Sequence, residues 1–311
     1  MRTLLCCLLL AACHHDDTGQ DSAAPPDPAT VPLAGGCAMA EDYGGFLVRS
    51  DDEQAGVDGA VADGVVPISV LEQIAADGDC VLLRRNNPHC DPACDPGEAC
   101  DFDGTCLPWP VNQDLGTVTL TGLSAPVQME AVFPGNTYYD TSLTAPLFEA
   151  GALVTLQMPG GAYGPATLYG VGIEPLVPLD EEWVVGGGQD LAVRWESPTE
   201  AISRGEIALS LNIDQHGASP GTLRCTFEDD GEAVVPSAIV QTLIDTGVTG
   251  FPSGALVRRT QDSAAAGAGC MDLTVSSSAT VSVDVVGYTP CISDTDCPDG
   301  QDCNEELQIC E

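Results

Sequence analysis

Between about Gly116 and Tyr288 apolar and polar residues alternate with a period of two, in short runs bounded by Gly, Pro, Asn and Asp. That period puts every second side chain on one face of a strand. The runs are Thr117–Thr121, Val127–Val132, Leu153–Gln157, Thr167–Ile173, Leu191–Trp195, Ile207–Ile213, Thr222–Phe227, Ala255–Arg259, Leu273–Ser277 and Val281–Val286. Ten short strands spaced in this way predict a β-sandwich over 111–289. One stretch departs from the pattern. After Val235-Pro236-Ser237, residues Ile239, Val240, Leu243 and Ile244 share one helical face, so a short helix is expected. Trp195, on a strand, is expected in the core.

Ahead of the sandwich, Phe46-Leu47-Val48 and Val57–Val66 are short apolar pieces separated by acidic turns. Ile68–Ala76 has helical spacing after Pro67, and Cys80–Arg85 reads as a strand. Residues 37–89 are therefore expected to form a small β-rich unit, which a Cys37–Cys80 bridge would close. The predicted class is mainly β, with a sandwich flanked by disulfide-rich knots and one or two short helices.

Cysteine changes this picture most. Setting aside Cys6, Cys7 and Cys13 leaves twelve, an even number: Cys37, Cys80, Cys90, Cys94, Cys100, Cys106, Cys225, Cys270, Cys291, Cys297, Cys303 and Cys310. Two dense groups, CDPACDPGEACDFDGTC within 90–110 and CISDTDCPDGQDCNEELQIC within 290–311, are built of turn residues. With almost no apolar side chains between their cysteines, they cannot make a core and need crosslinks. Cys225 lies within a strand and Cys270 begins one, so a Cys225–Cys270 bridge across the sheets is expected. Neither knot has the C-x2-C half-site of zinc modules. Calcium is the alternative. Asp294, Asp296, Asp299 and Glu305 approximate an EF-hand loop, although the glycine falls one place late; solvated turn aspartates explain the same residues.

The chain has nine basic residues, all arginine, against 47 acidic ones, for a formal charge of −38. Nucleic acid and anionic headgroups are therefore excluded as partners. A hydrophobic fraction of 44% is that of a folded globular protein. No apolar run reaches the ~18 residues of a membrane-spanning helix.

The first residues carry an address. Met1-Arg2-Thr3, the apolar run Leu4–Leu10 and the tetrapeptide Leu10-Ala11-Ala12-Cys13 resemble a bacterial lipobox, in which the cysteine is acylated and becomes the new N-terminus. An ordinary signal peptide that contains cysteines is the alternative. On the lipobox reading, 1–12 is the signal and Cys13 carries the lipid. Residues 13–36, acidic and Pro-rich, form a tether, and the membrane is a partner through the lipid alone.

The run from Cys90 to Leu123, CDPACDPGEACDFDGTCLPWPVNQDLGTVTLTGL, resembles a group of exported lipoproteins from Deltaproteobacteria and myxobacteria. Leu191-Ala192-Val193-Arg194-Trp195, His216-Gly217 and Leu223-Arg224-Cys225 share that resemblance, which covers most of 36–288. The last knot is similar to the short DCPxGxxC repeats of secreted proteins in those bacteria, which are compared with EGF-like or Dickkopf-type modules. The resemblance implies a Gram-negative envelope, periplasmic or surface-facing, and no activity.

Catalytic signals are sparse. Gly217-Ala218-Ser219-Pro220-Gly221 has the letters of a nucleophile elbow, but a strand follows where the chemistry needs a helix, and Pro220 lacks an N–H. Glycoside hydrolysis needs a pair of carboxyl groups, for which Asp180-Glu181-Glu182-Trp183, acids beside an aromatic, is the most suggestive cluster, and chance gives such neighbours in so acidic a chain. His14 and His15 have no nearby partners to complete a metal site. A binding role is better motivated. The loop Pro134–Asp140 offers Tyr138 and Tyr139 for stacking a sugar or a protein side chain, or else tucks one ring into the sandwich edge and leaves the other solvated. The expectation is a non-catalytic binding or structural module with a protein or polysaccharide ligand and no cofactor. A hydrolytic envelope enzyme and a calcium-dependent adhesion module are the alternatives.

Overall fold

The computed structural model describes residues 25–51, 54–199, 204–214, 216 and 220–311. Cys13, the signal-like residues before it and the tether to residue 24, His14 and His15 included, lie outside them.

In chain order the strands begin with β1 (Asp42–Ser50), β2 (Ala55–Val61), β3 (Glu72–Asp77), β4 (Cys80–Arg84), β5 (Glu98–Cys100) and β6 (Cys106–Pro108). Next come β7 (Val118–Thr121), β8 (Val127–Met129), β9 (Tyr138–Asp140), β10 (Leu153–Met158), β11 (Ala166–Val171), β12 (Glu182–Val185) and β13 (Leu191–Arg194). β14 (Glu206–Asn212), β15 (Gly221–Glu228) and β16 (Glu232–Val235) precede the helix α1 (Ser237–Ile244). The long hairpin of β17 (Ser253–Ala266) and β18 (Gly269–Val285) follows, then β19 (Cys303–Asn304) and β20 (Ile309–Cys310).

One ten-stranded sheet organises the molecule, in the order β3-β4-β15-β14-β17-β18-β1-β2-β9, with β12 added to the far end of β18. A four-stranded sheet, β11-β10-β7-β8, and the hairpin β13-β16 complete the main body. Because side chains alternate across a strand, the odd residues of β18 all point one way. Met271, Leu273 and Val275 join one apolar cluster with Phe46, Val48, Val57 and the small sheet's Val118, Leu120 and Leu156. Further along the same face, Val281 and Val285 join a second cluster with Trp183, Trp195, Leu209, Leu256 and the α1 residues Ile239, Val240 and Leu243. Two covering layers thus sit side by side on one face of a shared sheet.

Where the layers meet, that face turns polar. On β17 the inward positions run from Leu256 through Arg258, Thr260 and Asp262, all three buried. Arg258 donates to both Asp229 carboxylate oxygens, at 2.7 and 3.0 Å, and to the carbonyls of Glu174, Pro175 and Glu196. The five N–H groups of the guanidinium are thereby satisfied. Trp195 Nε1 donates to the same Asp229 at 2.8 Å. Thr260 and Asp262 bond the free edge of β11, the hydroxyl pairing with Val171 and the carboxylate accepting from Tyr169 N–H. These polar groups replace the hydrogen bonds that a third strand-to-strand ladder would have made.

Six disulfides join all twelve cysteines outside residues 1–13. The expected Cys37–Cys80 and Cys225–Cys270 bridges are corrected to Cys37–Cys270 and Cys80–Cys225. Cys80 and Cys225 face each other in register on β4 and β15, with Cα atoms 4.0 Å apart. The knots pair alike, first cysteine with third and second with fourth. Residues 37–89 are not a separate unit: β1 and β2 continue the large sheet beside β18, while β3 and β4 extend its other edge beside β15. The expected helix over Ile68–Ala76 is a single 3-10 turn, Pro67–Ser69, followed by β3, because pairing with β4 outweighs local spacing.

Candidate binding face

The four-stranded sheet covers only the inner side of β9, β2, β1 and β18. Their outward residues line up by register. Tyr139 on β9 sits opposite Asp58 on β2, Asp58 opposite Leu47 on β1, and Leu47 opposite Thr274 on β18. Neighbouring strands lie about 4.8 Å apart, so this row is roughly 14 Å long. The level beside it holds Ala60, Gly45 and Asp272, whose small side chains on β2 and β1 deepen the face into a trough. On the other flank Arg49 and Arg259 both pair with Ser276 on β18 and bury it, and Arg259 forms an ion pair with Glu206 at 2.9 Å.

Glycine is required at one point of the floor. A Cβ on Gly45 would lie 2.2 Å from both the carboxyl and the main-chain oxygen of Asp272. The register of β1 against β18 shifts between Asp42 and Gly45, which brings Asp42 towards Asp272. Burial pushes the Asp272 carboxyl up to about 6, and the nearby Asp42 carboxylate adds to the rise. The Cys37 N–H and the Arg259 guanidinium act in the opposite sense. An arm before β1 runs along β17, where Ala34 N–H donates to Asp262 at 2.9 Å. Gly36 lies against the Gln261 side chain, and Cys37 is bonded to Cys270. Further back, Arg204 donates to the carbonyls of Pro28 and Val31 and pins the arm's start.

The tyrosine pair separates by strand alternation. Tyr139 is 54% exposed and forms one wall of the trough. Tyr138 is corrected from a candidate ligand contact to a core residue. Its ring packs on Phe46 with centroids 5.5 Å apart, and its hydroxyl accepts from Leu115 N–H at 2.7 Å. Burial raises the Tyr138 hydroxyl above its ordinary value. Asp58, Asp272 and Thr274 were not legible as site residues, since only the pairing of distant strands brings them to Tyr139.

The other candidates do not assemble. Asp180 is ion-paired with Arg194, Glu182 points outward, and Trp183 is buried with its indole N–H unpaired. Gly217, Ala218 and Ser219 of the elbow-like turn lie outside the described residues, and the strands flanking them, β14 and β15, pair as a hairpin. His216 bonds Gln308 at 2.8 Å.

In the last knot, Asp296 accepts from the N–H groups of Ile292 and Ser293, and Asp294 from that of Cys303. The first two bonds hold the Asp296 carboxyl below its ordinary value. Asp294, Asp296, Asp299 and Glu305 do not converge on one point. Among the described residues, the groups of three or more metal-ligating side chains within 4.8 Å are Cys90, Cys94, Cys106 and Cys291, Cys297, Cys310, whose sulfurs are spent in disulfides.

Fold and site together define a mainly β, disulfide-braced protein with one open sheet face. No family model matches the sequence, and no curated protein matches it. Two solved structures are similar in part. The FN1-FN3 domains of chicken CNTN1 share 9% identity over 68% of this chain and 66% of that one, with a TM-score of 0.18. A tetra-tandem repeat in the extending region of a large adhesion protein shares 13% identity over 80% of this chain and 76% of that one, with a TM-score of 0.19. At those TM-scores the likeness does not define a common fold. Among the described residues, no helix is long and apolar enough to cross a membrane.

Proposed function

We propose that this is an exported envelope protein that holds a ligand on the open sheet face around Tyr139 and performs no chemistry on it. The observation that carries the reading is the exposed tyrosine standing over a glycine-floored trough on an otherwise rigid, covalently braced sheet. Rigid platforms with a few convergent polar groups and an aromatic wall suit recognition, because little ordering entropy is lost on binding. Six disulfides belong to an oxidising compartment, outside the cytosol. The proposal extends to a lipid on Cys13, a Gram-negative envelope and membership of the exported lipoprotein group. Leu4–Leu10 and Leu10-Ala11-Ala12-Cys13 support the anchor.

Two experiments test it. Metabolic labelling with an alkyne fatty acid in an exporting Gram-negative host should tag the wild-type chain and not Cys13→Ser; equal labelling removes the anchor from the account. Immobilised full chain should retain surface polymer from envelope preparations, and Leu47→Arg, which blocks the trough, should retain at least tenfold less while melting at the same temperature. Equal retention by the two would refute the open-face reading.

A further inference from the structure

We infer that the trough takes a segment of a hydroxyl-rich glycan without acidic groups, either neutral or amine-bearing. The inference rests on the open-face reading and names its ligand class. Two apolar surfaces, the exposed Tyr139 ring and the half-buried Leu47, stand in the same row as an acceptor, Asp58, and a hydroxyl, Thr274. Sugar rings have that same division, with C–H groups on their faces and hydroxyls at their rims. An aromatic face takes the C–H surface, and carboxylates accept from the hydroxyls. A row of roughly 14 Å accommodates a short run of such rings lying across the strands.

Charge selects within the class. Asp42 and Asp272 line the small-residue side of the trough and Asp58 lies in the row itself, so three carboxylates face the ligand. They repel uronate, sulfate or phosphate groups and attract an ammonium group. Arg49 and Arg259 lie one level away along the strands, Arg259 is ion-paired with Glu206, and the three carboxylates outnumber the one remaining guanidinium, Arg49, beside Asp58, so the trough carries net negative charge. A peptide fits less well. Adding a strand needs a long free edge, whereas β9, the edge strand beside the trough, is only three residues long, and β2 and β1 beneath the trough are paired on both sides.

The test is calorimetric titration of the oxidised full chain with three oligosaccharides: a neutral glucan, a chitosan oligomer and a polyuronate. The first two should bind and the third should not. Tyr139→Ala should weaken binding at least tenfold, Tyr139→Phe should keep it within about twofold because the ring persists, and Asp58→Asn should weaken the chitosan oligomer more than the glucan. Since Tyr139 is half exposed, each variant should melt with the wild type. Polyuronate binding as tight as the glucan's overturns the charge argument. Glycan binding that ignores Tyr139→Ala overturns the placement of the glycan in this trough. If none of the three binds while Leu47→Arg still abolishes retention of surface polymer, the ligand class is wrong and the open-face reading survives. If neither assay responds, both fall.

Discussion

Replacing Asp272 with Asn should change the pH dependence of stability in a direction fixed by the geometry of the trough. Burial and the Asp42 carboxylate push the Asp272 carboxyl from its ordinary 3.8 to about 6, against the pull of the Cys37 N–H and Arg259. A folded-state value above the unfolded one means that the folded chain holds the proton more tightly between those two pH values. The stabilisation is fully present below pH 3.8 and is lost as pH rises through about 6. Its size is about 3 kcal/mol, at 1.36 kcal/mol per pH unit. Asparagine keeps an acceptor for the Cys37 N–H but cannot ionise, so the variant lacks this dependence. Urea unfolding of both proteins across this range, at constant salt, cancels the other carboxylates in the difference. Relative to wild type, the variant should gain about 2.4 kcal/mol between about pH 4 and pH 8. A difference that stays flat across that range would refute the burial argument.

Other consequences follow from the core, the bridges and the charge. Arg258→Met leaves Asp229 buried without its cation and removes the guanidinium bonds to three carbonyls, and should cost about 3–5 kcal/mol in urea unfolding; a loss under 1 kcal/mol would contradict the junction's role. Removing Cys80 and Cys225 together opens a sequence separation of 145, worth about 5 kcal/mol in the chain-entropy account, and should lower the main calorimetric transition. Removing Cys297 and Cys310, 13 apart and within a knot that shares neither main apolar cluster, should leave that transition nearly in place. With a formal charge of −38, stability should rise from low to molar NaCl as self-repulsion is screened. A falling midpoint would go against it.

Much of the sheet was legible in the sequence. Strands with clean alternation, such as β10, β14 and β15, stand where the pattern predicts, and α1 follows its Val235-Pro236-Ser237 signal. The long hairpin was not. Ala255–Arg259 is part of a 14-residue strand, and Leu273–Ser277 and all of Val281–Val286 but its last residue fall in one strand of 17. Their continuity is hidden because inward positions at the junction are Arg258, Thr260, Asp262 and Ser277, which read as polar interruptions. β9 is three residues long and was legible only as a loop. Cys37 pairs with Cys270 across a separation of 233, through β1 lying parallel to β18, and no local pattern reports such a contact. Of the trough, Tyr139 was legible as an aromatic among turn residues. Asp58, Asp272 and Thr274 were hidden by the same non-local pairing.

The most direct measurement of the central claim is amide chemical-shift mapping of the isotopically labelled, oxidised chain during titration with a neutral glucan oligosaccharide. The account predicts shifts that cluster on Tyr139, Asp58, Leu47 and Thr274, with the buried Arg258 junction unmoved. Saturable shifts centred away from that row, or none at any glucan concentration, would contradict it.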